Sequence, residues 1–261
     1  MTQRRALVTG AGHRLGRAMA LKLAARGFHV AVHYASAGPA AQETASEARR
    51  HGVTAEPLHA DLLIAADAEG LVGRAASVLG GPLDLLVNNA SIFEPDTLGS
   101  ITRQSWDRHM DSNLRAPVVL TQAFAQQLPE AAHDAQGEAR ANGLVVNMID
   151  QRVHKPTPDF MSYTLAKSGL WTFTKTAAQA LAPRIRVNAI GPGPTLRGAR
   201  QSEAQFARQR AATPLQRGAD SADITAALCY LLDAPAVTGQ MICVDGGQHL
   251  AWQTPDAVGL E

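Results

Sequence analysis

Short apolar runs alternate along the chain with longer stretches in which apolar residues recur every three or four positions. The short runs predict strands at 6–8, 30–32, 85–87, 144–146, 185–190 and 241–244. The longer stretches predict helices at 15–26, 40–50, 65–79, 104–128, 160–181 and 220–232. Strands that are apolar on both faces must be covered on both faces. The alternation therefore predicts an α/β fold, a doubly wound, Rossmann-like parallel sheet with helices on both faces.

Nothing in the sequence divides this alternation into two halves. A length of 261 residues allows one domain or two, but no repeat and no Pro-, Gly- or Ser-rich linker interrupts the pattern. We therefore expect a single domain over residues 1–261. The stretch 191–212 contains Pro192 and Pro194, so it cannot form one regular element. It follows the carboxyl end of a predicted strand, where such sheets bind ligands, and we expect a substrate loop or lid there.

Composition and charge narrow the class of partner. The chain has 24 Lys and Arg against 23 Asp and Glu, a formal net charge of +1, which favours neither nucleic acid nor an anionic membrane surface. No run of 18 apolar residues predicts a membrane span. Two cysteines without C-x-x-C spacing and nine dispersed histidines predict neither a disulfide framework nor a metal site. We expect a cytoplasmic protein that acts on a small molecule.

The first predicted strand leads into a glycine-rich loop, Thr9 to Gly16, and then into a helix. The backbone N–H groups of such a loop and the positive end of the helix suit a pyrophosphate. This turn therefore predicts a dinucleotide site. The third glycine comes one position later than in G-x-G-x-x-G, so a plain tight turn is the alternative interpretation.

The residues after the second predicted strand indicate which dinucleotide binds. An acidic residue that would bind the NAD ribose is missing there, since the chain reads His-Tyr-Ala-Ser-Ala over 33–37. Arg14 in the glycine loop could pair with a 2′-phosphate, and Ser36 could add a hydroxyl donor. We therefore expect NADP(H). An exposed cation at the start of a helix is the alternative interpretation of Arg14.

Tyr163 and Lys167 lie four residues apart near the start of the predicted helix 160–181, so their side chains share one face. An ammonium close to a phenol favours the phenolate. We expect Lys167 to lower the pKa of Tyr163 from its ordinary value of about 10, which would make the phenol a proton donor and acceptor near neutrality. The chain has only three Tyr, so a chance pairing is uncommon.

These segments occur in one order that resembles the short-chain dehydrogenase/reductase family. The resemblance covers nearly the whole chain, and its segments are the loop at 9–16, Leu-Val-Asn-Asn-Ala at 86–90, Asn113, Tyr163 with Lys167, Arg-Val-Asn at 186–188, Gly-Pro-Gly at 191–193 and Val-Asp-Gly-Gly at 244–247. It implies that Tyr163 protonates the substrate, that Lys167 holds the nicotinamide ribose and that Asn113 supports a water relay to Lys167. It also implies a homotetramer.

The same resemblance implies the cofactor contacts. The glycine loop would hold the pyrophosphate, residues 61–62 would meet the adenine, and residues 192–195 would meet the nicotinamide end. The implied contacts are Gly10, Gly12, Arg14, Leu15, Gly16, His33, Tyr34, Ser36, Asp61, Leu62, Asn89, Ala90, Ser91, Met148, Tyr163, Lys167, Pro192, Gly193 and Thr195.

Two positions depart from the family pattern. Arg14 stands where a Gly or Ala is usual, and Asp150 stands where the family has a Ser, thirteen residues before the Tyr. An ionised carboxylate only accepts hydrogen bonds and would oppose the oxyanion formed from a ketone. A carboxylate suits a substrate that offers N–H donors. If its pKa is raised, the carboxylic acid also suits a substrate whose ring nitrogen must receive a proton. A helix cap or turn residue is the alternative interpretation of Asp150.

The departures narrow the resemblance to pteridine reductases. The segments that carry it are Thr9 to Arg17, His33-Tyr34, Asn-Asn-Ala-Ser-x-Phe at 88–93 and Asn-Met-x-Asp at 147–150. It implies that Phe93 stacks on a pterin and that Asp150, Tyr163 and Lys167 carry out the chemistry. Core or lid packing is the alternative for Phe93. The implied substrate contacts are Arg14, Ser91, Phe93, Asp150 and Tyr163.

The sequence thus predicts an NADPH-dependent reductase of a pterin or folate-like substrate, from dihydropterin to tetrahydropterin, acting by hydride transfer. A reductase of the same family acting on a carbonyl, in an oxoacyl compound, a quinone or a sugar ketone, is the first alternative. The second is a non-catalytic NADP(H)-binding regulator that keeps the fold.

Overall fold

Seven parallel strands form the central sheet of the computed structural model, which describes residues 3–198 and 200–253. The strands in chain order are β1 (Arg4–Val8), β2 (Phe28–Tyr34), β3 (Ala55–His59), β4 (Leu85–Asn88), β5 (Ala132–His133), β6 (Ala139–Arg140), β7 (Gly143–Met148), β8 (Ile185–Pro192) and β9 (Met241–Val244). The sheet order is β3-β2-β1-β4-β7-β8-β9. The short β5 and β6 pair separately as an antiparallel hairpin. The predicted doubly wound fold is confirmed.

Helices cover both faces of the sheet. They are α1 (Arg14–Ala25), α2 (Gly38–Arg49), α3 (Ala65–Val78), α4 (Arg103–Met110), α5 (Ala116–Gln127), α6 (Met161–Leu181), α7 (Glu203–Ala211) and α8 (Ser221–Asp233). On one face α1, α2 and α8 pack against strand residues such as Val8 and Val32. On the other face α3, α5 and α6 pack against Leu7 and Leu86. Successive side chains along a strand point to opposite faces, so Leu7 lies on the face opposite to that of its neighbour Val8.

The structure adds a strand that the apolar pattern does not predict. β3 has the sequence Ala-Glu-Pro-Leu-His and lies at one edge of the sheet. An edge strand tolerates polar side chains, and it tolerates Pro57 because one of its rows of backbone groups has no partner strand. The apolar run that marks a central strand is therefore missing here.

The predicted helix 104–128 is divided by a π-helical turn, Asp111–Arg115, between α4 and α5. Pro117 lies in the first turn of α5 and has no backbone N–H to donate into the preceding turn. The amide of Ala116 donates to the carbonyl of Asp111, five residues back. The wide turn therefore bridges the position at which proline interrupts the α-helical ladder, and it contains Asn113.

The stretch 191–212 contains several elements, as the sequence predicts. It starts with the end of β8 and contains α7, whose first turn is closed by a capping box of Ser202 and Gln205. Between these two elements, residues 193–198 and 200–202 form no helix or strand. The loop follows the carboxyl end of β8. A lid function for this stretch stays a prediction.

The turn from β1 to α1 is packed too tightly for any side chain at Gly16. A Cβ at that position would lie 2.2 Å from the carbonyl oxygen of Gly10 and 2.6 Å from Nδ2 of Asn89. Gly10 itself has φ +63°, in the left-handed region that favours glycine. The start of α1 can therefore approach β4 closely only because these two residues lack side chains.

Within residues 3–198 and 200–253, no helix has the length and apolar character needed to cross a membrane. The same part of the chain contains no cluster of three or more His, Cys, Asp or Glu residues arranged to hold a metal ion.

We expect Gly16→Ala to destabilise the protein by about 1–3 kcal/mol, because the new methyl group overlaps backbone atoms that cannot move away cheaply. The matched control is Gly73→Ala in the interior of α3, where a Cβ would meet nothing within 4 Å. That change should be neutral or stabilise by about 0.5–1 kcal/mol. Urea denaturation of the two variants measures the difference, and equal stability of the two would contradict the close packing.

Candidate active site

Two neighbouring cavities open at the carboxyl ends of the strands, where the strand order reverses between β1 and β4. The larger has a volume of about 670 Å³ and runs from the glycine loop past the ends of β2 and β3. The smaller, of about 260 Å³, lies between the ends of β7 and β8 and the start of α6. Arg14, Leu15, Asn89 and Ser91 line both cavities, so the two adjoin.

All the site residues predicted from the sequence except Asn113 line one of these cavities. The larger cavity holds Gly10, Gly12, Arg14, Leu15, Gly16, His33, Tyr34, Ser36, Asp61, Leu62, Asn89, Ala90 and Ser91. The smaller one holds Phe93, Met148, Asp150, Tyr163, Lys167, Pro192, Gly193 and Thr195, together with Arg14, Leu15, Asn89 and Ser91. The cavities also contain residues that were not among the predicted contacts, namely His13, Ala35, Ala37, Leu63, Ile92, Arg108, Ser112, Ile149 and Leu196. Of these, Leu63, Arg108 and Ser112 lie outside every motif, so no sequence signal marks them.

His33 lies beneath the glycine loop and is buried. Its Nδ1 accepts the N–H of Gly10 at 3.0 Å, so Nε2 carries the proton and donates to the carbonyl of Ala60 at 3.0 Å. Burial lowers the pKa of His33 to about 4. This neutral ring therefore links the glycine loop to the end of β3.

Asn89 and Thr9 fix the other side of the glycine loop. Nδ2 of Asn89 donates to the carbonyls of Thr9 and Gly10 at 2.8 and 3.2 Å. The Thr9 hydroxyl oxygen accepts the N–H groups of Asn89 and Ala90 at 2.8 and 2.9 Å. The loop is thus held in place by side chains from its own start and from the end of β4. Thr9 is a supporting residue whose function the sequence analysis did not recognise.

Arg14 connects the glycine loop to the loop after β8. Its guanidinium donates to the carbonyls of Leu196 and Arg197, both at 2.9 Å. Its φ of 51° lies in the left-handed region, which a non-glycine residue adopts rarely and at a cost in strain. Two donors of Arg14 therefore hold the loop over the smaller cavity. Its pairing with a 2′-phosphate stays a prediction.

Asp150 lies two residues after the end of β7 and has two partners, one for each carboxylate oxygen. Oδ1 accepts the N–H of Arg152 at 2.8 Å and caps the short 3₁₀ turn Gln151–Val153. Oδ2 accepts the hydroxyl hydrogen of Tyr163 at 3.0 Å. Burial raises the pKa of Asp150. The two interpretations offered by the sequence, a cap and a member of the site, therefore both describe this residue.

The expectation that Lys167 lowers the pKa of Tyr163 is wrong. Burial and the adjacent carboxylate of Asp150 raise the pKa of Tyr163 well above its ordinary value of 10. Nζ of Lys167 donates instead to the carbonyl of Met148 at 2.7 Å and lies 5.8 Å from the centre of the Tyr163 ring. Burial also lowers the pKa of Lys167 to about 8. Tyr163 is therefore held as a protonated phenol.

Asn113 does not line either cavity. Its side chain is buried, where Oδ1 accepts the N–H of Ile92 at 2.9 Å and Nδ2 donates to the carbonyl of Ile92 at 2.8 Å. The amide thus clamps the backbone next to Phe93. The water relay to Lys167 stays a prediction.

Phe93 projects into the smaller cavity with 43% of its surface exposed. Its ring stacks on Phe160 at 4.2 Å and meets the ring of Tyr163 edge-on at 4.7 Å. Phe160 has φ 57° and precedes α6, a strained conformation that the sequence does not reveal. Phe93 therefore combines packing on one neighbour with an exposed aromatic surface beside Tyr163.

Comparison with known proteins identifies several similar reductases. A family model described as enoyl-(acyl carrier protein) reductase matches residues 10–249. The 3-oxoacyl-(acyl-carrier-protein) reductase FabG of Staphylococcus aureus (strain Mu50) is 31% identical over 250 residues, covering 94% of this chain and 98% of the relative. FolM alternative dihydrofolate reductase 1 of Brucella suis, solved in complex with NADP, is 46% identical with a TM-score of 0.89, covering 97% of this chain and 98% of that one. FolM of Brucella canis, complexed with NADP, is 45% identical with a TM-score of 0.90, covering 97% of each chain.

The lowered pKa of Lys167 has a consequence for stability. Because the folded-state pKa of about 8 lies below the ordinary 10.5, the unfolded chain binds more protons between these values, and stability rises with pH there. We expect the free energy of unfolding of the wild type, relative to that of Lys167→Met, to rise by about 2 kcal/mol from pH 7.5 to pH 9.5. Urea denaturation at the two pH values measures this gain. A pH-independent difference would show that Lys167 is not charged at a cost in the folded state.

Proposed function

This chain belongs to the short-chain dehydrogenase/reductase family, and we propose that it reduces a pterin or folate-like substrate. It is an NADP-dependent reductase, as the NADP complexes of the two similar FolM proteins support. The finer assignment, reduction of a dihydropterin to a tetrahydropterin, rests on one observation. The residue that hydrogen-bonds the Tyr163 hydroxyl is the carboxylate of Asp150.

The residues of the larger cavity fit a dinucleotide. Gly10, Gly12 and Gly16 line this cavity without side chains, and a Cβ at Gly16 would meet backbone at 2.2 Å, so the loop fits a cradle for a pyrophosphate. The wall at 34–37 carries no carboxylate that would repel a 2′-phosphate. Bound NADPH would supply a hydride. The glycine loop would hold its pyrophosphate, and Ser36 and Arg14 are the proposed donors to its 2′-phosphate.

The residues of the smaller cavity supply the proton that accompanies a hydride. Reduction of a C=N bond adds hydride to carbon and a proton to nitrogen. Tyr163, a phenol kept protonated by burial and by Asp150, is the proposed donor to that nitrogen. The carboxyl of Asp150, whose pKa is raised, is the proposed partner for N–H groups of the substrate ring and for return of the proton to Tyr163. Lys167 is the proposed holder of the nicotinamide ribose.

Phe93 is the proposed stacking surface for the flat ring of the substrate. It lies at the entrance to the same cavity as Asp150 and Tyr163. Stacking would hold the reacting carbon close to the hydride donor, where orientation contributes most to the rate. Ser91 and Arg14 are the proposed polar contacts. The loop after β8, held by Arg14, is the proposed lid, and a homotetramer is the proposed assembly.

The similar FabG proteins favour a second candidate function, reduction of a carbonyl in an oxoacyl thioester. Against it, the ionised form of Asp150 has no hydrogen to donate to a developing oxyanion. A regulator without catalysis would not need buried Tyr163 and Lys167 grouped with the partly buried carboxylate of Asp150.

We expect Asp150→Ser to lower kcat/KM for a dihydropterin at least about 100-fold while the Kd for NADPH changes less than about threefold, since the carboxylate acts on the substrate. Tyr163→Phe should abolish turnover and leave NADPH binding intact. The matched control is Asp159→Ser, a nearby exposed carboxylate, which should behave as the wild type. NADPH absorbance measures turnover, with dihydrofolate and an oxoacyl thioester as parallel substrates.

Two results of this experiment would contradict the proposal. Unchanged pterin turnover in Asp150→Ser would exclude the carboxylate from the chemistry. Turnover of the thioester alone by the wild type would establish the carbonyl reductase and refute the pterin assignment.

A further inference from the structure

The backbone around Phe93 is anchored on both sides by buried side chains that touch neither cavity. Before Phe93, the amide of Asn113 bonds both backbone groups of Ile92. After it, Nε2 of His109 accepts the N–H of Glu94 at 3.1 Å. Residues 91–96 are outside any helix or strand, so these bonds replace the regular hydrogen bonds that would otherwise fix them.

The donors and acceptors around His109 define one continuous chain of hydrogen bonds. Because Nε2 accepts from Glu94, the neutral ring carries its proton on Nδ1, which donates to Oγ of Ser162 at 2.7 Å. The Ser162 hydroxyl then donates to Oδ2 of Asp96, and Oδ1 of Asp96 accepts the N–H of Ser162 at 3.1 Å. Every polar side-chain atom in this chain has a partner, although His109 and Ser162 are completely buried.

This series of hydrogen bonds connects the segments that carry Phe93 and Tyr163, the two aromatic residues that line the smaller cavity. Ser162 directly precedes Tyr163, and the rings of His109 and Tyr163 are 6.1 Å apart. At its other end, the chain reaches the residue after Phe93. The two sides of the 4.7 Å contact between Phe93 and Tyr163 are thus connected through His109 on α4 and Ser162 on α6, which are 53 residues apart in sequence.

We propose that His109, Ser162 and Asp96 are positioning residues that hold the Phe93 ring at a fixed place relative to the Tyr163 hydroxyl. The proposal rests on the proposed function, in which the substrate ring stacks on Phe93 while Tyr163 donates a proton. Small displacements between reacting groups cost large factors in rate, and an exposed Phe on an irregular segment needs such support.

The anchoring itself is tested by hydrogen exchange, which does not depend on the substrate. His109→Phe keeps a ring of similar size but leaves the partly buried N–H of Glu94 without the acceptor that His109 provides. We expect exchange in a peptide covering 91–97 to quicken at least about tenfold while exchange in β2 stays unchanged. In His109→Gln an amide oxygen can take the place of Nε2, and protection should largely return. Unchanged exchange in His109→Phe would overturn the anchoring.

The effect on catalysis is tested by combining His109→Phe with Phe93→Leu. Alone, His109→Phe should lower kcat/KM for a dihydropterin about tenfold and leave the KM for NADPH within about twofold, with rescue in His109→Gln. In the Phe93→Leu background it should cost less than about twofold, because the residue through which it acts is gone. If the double variant loses the full product of the two single-variant factors in kcat/KM, the positioning role is overturned and His109 has only a structural role.

Failure of the proposed function gives a different result. Wild-type enzyme that does not oxidise NADPH with any pterin refutes that function, whatever the exchange data show. The same pair of variants is then measured with the carbonyl compound that the wild type reduces. If His109→Phe lowers kcat/KM by the same factor with Phe93 present and in Phe93→Leu, the positioning role is overturned. If it lowers kcat/KM only where Phe93 is present, the role is supported.

Discussion

The hydrogen bond from the Tyr163 hydroxyl to the Asp150 carboxylate sets the chemistry of the site. Tyr163 is buried and Asp150 is partly buried, and a negative charge on either one opposes a charge on the other. The pair can therefore carry one negative charge readily but not two, and the phenol retains its proton. A hydroxyl donor in place of Asp150 would remove this constraint and supply a hydrogen bond to a carbonyl instead. The substrate class that we propose therefore rests on this one side chain.

The parallel sheet determines where this pair lies. Asp150 lies two residues after β7 and Tyr163 lies in the first turn of α6, so both lie at the carboxyl edge of the sheet. The glycine loop after β1 lies at the same edge, close to the point where the strand order reverses. A dinucleotide held by that loop and a ring stacked on Phe93 would therefore occupy adjoining spaces. Arg14 borders both, and it ties the loop after β8 to this arrangement.

The sequence predicts the parts of the fold in which apolar residues make the local structure unambiguous. The central strands are buried on both faces and show as apolar runs, whereas β3, at the edge and with Pro57, does not. The apolar spacing of 104–128 continues through the π-helical turn and therefore predicts a single helix. Pro117 is the one residue in this stretch that indicates an interruption. The capping box of Ser202 and Gln205 would similarly have indicated α7.

Most of the cavity-lining residues lie in motifs and are therefore predictable from the sequence, whereas Leu63, Arg108 and Ser112 lie in none. The direction of the Tyr163 pKa was not predictable, because the four-residue spacing places Lys167 on the same helix face without showing that its amine bonds the carbonyl of Met148. His109 and Ser162 are distant in sequence and meet only through the packing of α4 on α6. Their contact carries no local signature that spacing or composition could reveal.

The claim that a carboxylate at position 150 selects a ring with C=N bonds over a ketone is tested most directly in the unmodified enzyme. The measurement is the ratio of kcat/KM for a dihydropterin to kcat/KM for an oxoacyl thioester, at saturating NADPH and neutral pH. We expect a ratio of at least about 100, because a site whose polar groups match the donors and acceptors of one substrate strongly disfavours a substrate that leaves those groups unpaired. A ratio below about one would contradict it.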